Sequence, residues 1–296
     1  MLTTDWLVRE GASKKLSLLG EIFRTSRLKR LNSKYNLDLQ KYRPWMCKEE
    51  VSEKFLSLFD PNSLTPTLAP FVDLKYVEAM SQFYIADYFP FMEKMPCDIG
   101  SSDYEETGRL IVKNALARLR ASNSWVADVF DNVVAEVFPI SKKGQYYNGM
   151  GGISSPHLLG LMFIGPVEPP HSEIKLVLAI AHETAHQALM TIQLSENITN
   201  GNVELKTYSP IRRKMRPIVA SIHACAALAY MLDTARALLT SCSDDEAVFL
   251  NEFISDSKPH LKQSLLELNR VDLSRIGKKV ILEIESVLDS VTTHEA

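Results

Sequence analysis

The chain is 296 residues long and 46% hydrophobic, with 33 basic against 36 acidic side chains and a formal charge of −3. That is enough apolar material for one large domain or two small ones. A near-neutral balance gives no global attraction to nucleic acid or to an anionic membrane, so neither is an expected partner.

Glycine is absent between Gly20 and Gly100 and again between Gly201 and Gly277, which predicts two helix-rich regions around a different middle and a mainly α fold. Amphipathic segments near residues 5–31, 47–58 and 74–88, interrupted by the proline-bearing stretch Asp60–Pro70, predict a helical N-terminal subdomain over 1–100. Two further helices, near Tyr104–Ala121 and Trp125–Phe138, open the region 101–296. The stretch Lys142–Pro170 carries six of the twelve glycines together with GQYYNG and LLGLMFIG, the pattern of a small β hairpin or sheet. Its Gly149-Met150-Gly151-Gly152 cluster lacks the Lys-Ser/Thr ending of a phosphate loop and reads as tight turns.

An apolar helix over 172–195 comes next, then the polar connection SENITNGNVELKTYSPIRRKMRP. Connections of that length often line sites. A second apolar helix is expected over 217–240, with Pro217 in its first turn. The tail Pro259–Val291 has a stripe of Leu261, Leu265, Leu268, Ile276, Val280, Ile284 and Val287, read as a packing helix. The cysteines Cys47, Cys97, Cys225 and Cys242 form no CxxC pair, MLTTDWLVRE does not resemble a signal peptide, and the apolar run Ile218–Leu232 is short for a membrane span. Together these predict a cytoplasmic protein.

The chemistry is concentrated in His182-Glu183-Thr184-Ala185-His186. On a helix, residues four apart stand about 5–6 Å from each other on one face, so both imidazoles can converge on one metal ion while Glu183 reaches a metal-bound water. The surrounding sequence, IKLVLAIAHETAHQALMTIQL, is apolar enough to be buried, and two imidazoles and a carboxylate are costly to bury without partners. A metal satisfies all three; two ordinary core histidines are the plainer alternative.

A catalytic metal needs a third protein ligand. His223, in IVASIHACAALAYML, is the leading candidate, with Ala220, Ala226 and Ala227 on nearby turns allowing close helix approach. Glu196 and Glu204 are the rivals. Just ahead lies Tyr208-Ser209-Pro210-Ile211-Arg212-Arg213-Lys214-Met215-Arg216-Pro217. Arg212 and Lys214 fit a solvated loop. Arg216, at the helix entrance, is placed to hold a carboxylate whose other end reaches the metal, with Arg213 the second choice and Tyr208 and Ser209 able to add hydrogen bonds.

HETAHQAL followed by YSPIRRKMRPIVASIHACAALAY resembles the HExxH-type proteins of ribosomally made, modified peptide (RiPP) biosynthesis. That group includes 2-oxoglutarate-dependent peptide β-hydroxylases. The similarity covers about residues 150–240, with SSPHLLGLMFIGP adding weakly. The resemblance implies a non-haem Fe(II), O2 and 2-oxoglutarate dioxygenase acting on a precursor peptide. By the same resemblance His182, His186 and His223 are the iron ligands, and an arginine of RRKMRP clamps 2-oxoglutarate.

Two other readings remain open at this stage. One is a zinc metallopeptidase with Glu183 as general base, although Leu189 and Ile192 stand where the extended HExxHxxGxxH form has glycine and histidine. The other is a non-enzymatic peptide-binding scaffold with a closed metal site that adds His157 or His171.

Overall fold

The computed structural model describes residues 6–8, 10–43, 46, 97–99, 102–142, 151–165, 171–201 and 204–292. The fold is mainly α, with seven helices and a few short strands among those residues. In chain order they are α1 (Glu10–Tyr35), β1 (Cys97–Ile99), α2 (Ser102–Ser122), α3 (Ser124–Val133), β2 (Glu136–Lys142), β3 (Gly152–Ser154) and β4 (Leu161–Ile164). Then follow α4 (Ser172–Gln193), β5 (Lys206–Ser209), β6 (Lys214–Pro217), α5 (Ile218–Leu238), α6 (Asp244–Leu268) and α7 (Arg275–Thr292). The expected segments 47–58, 60–70 and 74–88, the expected boundary at residue 100, GQYYNG and Cys47 all lie outside the described residues.

The chain divides into two compact units. One comprises Met1–Leu19, Leu116–Val133 and Val177–Ala296, the other Gly20–Ala115 and Val134–Leu176.

The second unit holds the small sheet that precedes the HExxH helix. Its strand order is β1-β2-β4-β3, with β2 and β4 parallel and the outer pairs antiparallel. The helix expected to reach Phe138 stops at Val133, because Val137-Phe138-Pro139-Ile140 favours extended backbone and Pro139 cannot continue a helix. Gly151 is explained by close approach: a Cβ there would stand 2.8 Å from the Gly165 carbonyl oxygen. Helix α1 ends with Asn36 in the left-handed region (φ 52°), and Leu37 N–H returns to the Asn32 carbonyl at 3.0 Å, a Schellman-type stop. Beyond it Tyr42 Oη donates to the Leu159 carbonyl at 2.9 Å, and Arg43 forms a buried ion pair with Glu136.

The first unit is built on α5, which α6, α7 and β5 pack against. This helix, expected over 217–240, runs from Ile218 to Leu238. Its 21 residues are long and apolar enough to cross a bilayer, yet 83% of its most apolar window is buried inside the protein. Pro217 sits at its N-cap, as the last residue of β6, and not in its first turn.

The tail also differs from expectation. Helix α6 starts far upstream of Pro259, at a capping box in which Ser243 Oγ accepts Glu246 N–H and the Glu246 carboxylate accepts Ser243 N–H, and it runs through Pro259 to Leu268. The apolar stripe is thus shared between two helices. The second begins where Ser274 Oγ accepts Gly277 N–H at 3.0 Å. Glu283 on α7 accepts three backbone N–H groups of the amino-terminal segment, from Trp6 (2.7 Å), Leu7 (2.6 Å) and Val8 (3.0 Å), and Tyr230 Oη donates to the Leu7 carbonyl.

The connection after α4 is pinned. Ser274 N–H donates to the Ile198 carbonyl at 3.2 Å, Asn200 N–H to Asp272 at 3.2 Å, and Thr199 bridges Leu273. A Cβ on Gly277 would meet the Ile198 carbonyl oxygen at 2.0 Å, so only glycine admits this contact.

Glu246 also receives both guanidinium nitrogens of Arg118, at 3.0 and 2.8 Å, and this hydrogen bonding pulls its carboxyl down from 4.5 to about 2. A carboxyl whose folded pKa is depressed contributes stability above its unfolded pKa and loses it as the pH falls through the folded one. Wild type should therefore exceed Arg118→Met in stability by about 1 kcal/mol at pH 7, a figure reduced for partial solvent exposure. The difference should shrink between pH 4.5 and 2, as read by denaturant titration at each pH; a pH-independent difference would show that the pair is not the cause.

Candidate metal centre

Along α4, every residue from Leu176 to Ile192 is buried except His182 and His186; along α5, every residue from Ser221 to Ala235 is buried except His223. The three imidazoles are thus the accessible points on two otherwise buried runs, and they meet. His182 Nε2 is 3.0 Å from His186 Nε2, and His186 Nδ1 is 3.1 Å from His223 Nδ1. The ring centroids stand 4.7 and 5.3 Å apart.

Their surroundings favour the neutral form of all three. Burial first, and the Arg212 charge second, push His182 down to about 4; burial alone brings His223 to about 4. His186 is lowered well below the usual range by burial, by its two imidazole neighbours and by Arg216.

One arrangement of protons satisfies the outer contacts. His223 Nε2 lies 3.0 Å from Gln193 Oε1, an arrangement satisfied by an Nε2–H donor, which leaves Nδ1 of His223 free to accept from His186 Nδ1–H. His182 Nδ1 faces the Met231 sulfur at 3.3 Å. With those nitrogens protonated, the Nε2 lone pairs of His182 and His186 face each other across 3.0 Å. Two such lone pairs repel unless a cation lies between them, and with metal–nitrogen bonds of about 2.1 Å their spacing suits neighbouring ligands of a divalent ion. The pair therefore fits a metal. As the rings are turned, His223 approaches the far nitrogen of His186, and among the described residues no three His, Cys, Asp or Glu donors surround one point.

Glu183 is buried, 3% exposed, with Oε1 at 3.8 Å from His182 Nε2, beside the face where the two Nε2 atoms meet. Glu196 is half-buried and Glu204 exposed in the connection after α4. His171 lies at the entrance of α4, where its carbonyl accepts Lys175 N–H at 3.0 Å; the His157 side chain lies outside the described residues. His260 lies inside α6.

The connection 195–217 ends in the hairpin β5–β6, which the polar sequence did not announce. Its four-residue turn, Pro210–Arg213, closes with Arg213 at φ 50° and Arg213 N–H donating to the Ser209 carbonyl at 2.8 Å. Register places Arg216 opposite Thr207 and Lys214 opposite Ser209, so these four side chains share one face while Tyr208 and Met215 share the other.

The arginines part company here. Arg213 forms an ion pair with Asp256 of α6, whereas Arg212 and Arg216 make no ion pair among the described residues, and their charges act on His182 and His186. Arg216 thus stays with the cluster, Arg213 turns to Asp256, and Arg212 belongs to the site's field despite its solvated setting in the sequence. Tyr208, on the opposite face from Arg216, directs its hydroxyl to His260 Nδ1 at 2.7 Å. Ser209 is fully buried on the Arg216 face, its hydroxyl without a hydrogen-bond partner among the described residues.

Two residues of the cluster escaped the sequence reading. Gln193 follows His186 by seven residues, two helical turns along the same face, a signal present in the spacing. Met231, two turns after His223, shows the same period.

No protein-family model matches the chain, and comparison with curated proteins finds no significant relative.

Proposed function

We propose that the protein is a non-haem Fe(II)/2-oxoglutarate-dependent oxygenase that hydroxylates a side chain of a ribosomally made precursor peptide, the β-carbon being the position the family resemblance suggests. The observation supporting this is the pair of guanidinium groups, Arg212 and Arg216, which make no ion pair among the described residues and whose charges act on His182 and His186. A hydrolase has no need of two unpaired cations there; an anionic co-substrate does.

His182 and His186 would hold the iron through their facing Nε2 atoms, with His223 the candidate third ligand by the family resemblance; the iron, with O2 and 2-oxoglutarate, would supply the oxidising power for C–H hydroxylation. Burial keeps the imidazoles unprotonated, so their lone pairs are available at neutral pH. Gln193 and Met231 fix the outer ring nitrogens and thereby the tautomers. Arg216 binds the distal carboxylate of 2-oxoglutarate, Arg212 adds long-range attraction, and Glu183 orients a water or ligand beside His182.

A zinc metallopeptidase is the second reading, favoured by the position of Glu183, buried next to His182 Nε2 where a general base belongs. Protein purified without oxygen and given Fe(II) and 2-oxoglutarate should develop the visible charge-transfer band of the chelate, then release succinate on admission of air. Absence of the band, with zinc-dependent peptide cleavage lost in Glu183→Gln, would decide for the peptidase.

A further inference from the structure

The arginine hairpin is poorly equipped to hold itself in place. Two four-residue strands are marginal alone. Its turn and second strand carry Arg212, Arg213, Lys214 and Arg216, whose charges repel, and Arg213 sits in the left-handed backbone region.

Helix α6 supplies the missing support along one stripe. Ladder bonds from Arg213 N–H to the Ser209 carbonyl and from Ile218 N–H to the Leu205 carbonyl, both 2.8 Å, fix the alternation, so the N–H and C=O of Tyr208 point off the hairpin's edge. Both are met from α6: Glu267 accepts the N–H at 2.7 Å and Ser264 Oγ donates to the carbonyl at 2.6 Å. His260 takes the Tyr208 hydroxyl with the two rings stacked at 29°, and Asp256 pairs with Arg213. Residues 256, 260, 264 and 267 recur at helical spacing on one face. Ser264 also receives Cys225 Sγ at 3.0 Å, which ties in α5 two residues after His223.

We propose that this stripe of α6 is a positioning device for the candidate site: it holds the hairpin so that Arg212 and Arg216 bear on the imidazoles, and so sets the affinity for the anionic co-substrate. Asp256 neutralises Arg213 alone, leaving the other two charges for the ligand. Glu267, His260, Ser264 and Asp256 are positioning residues that touch no reacting atom, and the inference rests on reading the site as one that binds an anion beside a metal.

The decisive substitutions are Glu267→Ala and Glu267→Gln in the full chain, loaded with Fe(II) without oxygen and titrated with 2-oxoglutarate by charge-transfer absorbance. Removing a charge-assisted hydrogen bond should weaken 2-oxoglutarate about tenfold in Glu267→Ala. Fe(II) affinity should hold within about twofold, because no metal donor is touched. Glu267→Gln, whose amide oxygen still accepts the Tyr208 N–H, should recover most of the loss. Unchanged 2-oxoglutarate affinity in Glu267→Ala, or an equal loss of iron, overturns the proposal.

If the wild-type protein takes up no 2-oxoglutarate, the oxygenase reading fails separately, and hydrogen exchange judges the positioning role. Amides of the hairpin should then exchange about tenfold faster in Glu267→Ala while those around His182 and His186 keep their protection. Equal hairpin protection in the two proteins overturns it.

Discussion

Replacing His186 with alanine should lower divalent-metal affinity by on the order of a hundredfold or more, the share of one donor in a site of three or four. His186 is the sharpest choice because it touches both other imidazoles, at 3.0 Å and 3.1 Å, so its loss removes one donor and the contact that orders His223. Alanine suits a helix interior, and the substitution removes a partly buried polar ring, so the fold should survive. Competition with a chromophoric chelator, checked by metal content after gel filtration, reads the effect. An affinity equal to wild type would dismiss the centre altogether.

The parallel substitution His223→Ala separates two roles. As a ligand His223 should cost as much as His186 does and leave metal uptake largely lost; as a partner that only sets the His186 tautomer it should lower affinity by about ten- to a hundredfold with stoichiometry retained, the range of outer-contact losses. Unchanged metal stoichiometry would give the third place to Glu196 or Glu204.

Gly277→Ala should destabilise the protein by about 3 kcal/mol and lower its melting temperature by roughly 10 °C. The new methyl group would collide with the Ile198 carbonyl oxygen at 2.0 Å, and both partners are backbone, so neither can swing aside. Relief requires undoing the contacts of Ile198, Thr199 and Asn200 with the α6–α7 turn. Gly201→Ala provides the control: nothing lies within 4 Å of a Cβ there, and the change should be nearly neutral. Equal melting temperatures for the two variants would show that the connection does not run against Gly277.

The helix that carries His182 and His186 was legible because its apolar period is strong and its histidines interrupt that period at i and i+4. Contact between those histidines and His223 was likewise anticipated, since the second helix repeats the pattern of one imidazole in a buried run. The hairpin between them was not. KTYS and KMRP are four-residue strands with polar and charged side chains on both faces, and what holds them is a distant helix that no local pattern reveals. For the same reason the order read from sequence, Arg216 then Arg213 with Arg212 in a solvated loop, rested on position along the chain alone. Asp256, forty-three residues beyond Arg213, decides which of them is neutralised. Pro259 misled in the opposite direction: the capping box at Ser243 starts a helix strong enough to run past a residue that normally stops one. The sheet was seen in outline, but its parallel β2–β4 pair depends on long-range register that alternation in one strand does not encode.

The carboxylate of Glu283 gathers the amides of Trp6, Leu7 and Val8, so a short stretch near the chain's beginning is stitched to its last helix. Severing that helix would cut loose the amino-terminal stretch as well, and digestion with a protease should shed both together as the fold opens. A marker fused at either extremity will report on the same opening event, which makes the two ends interchangeable vantage points for following how the protein comes apart.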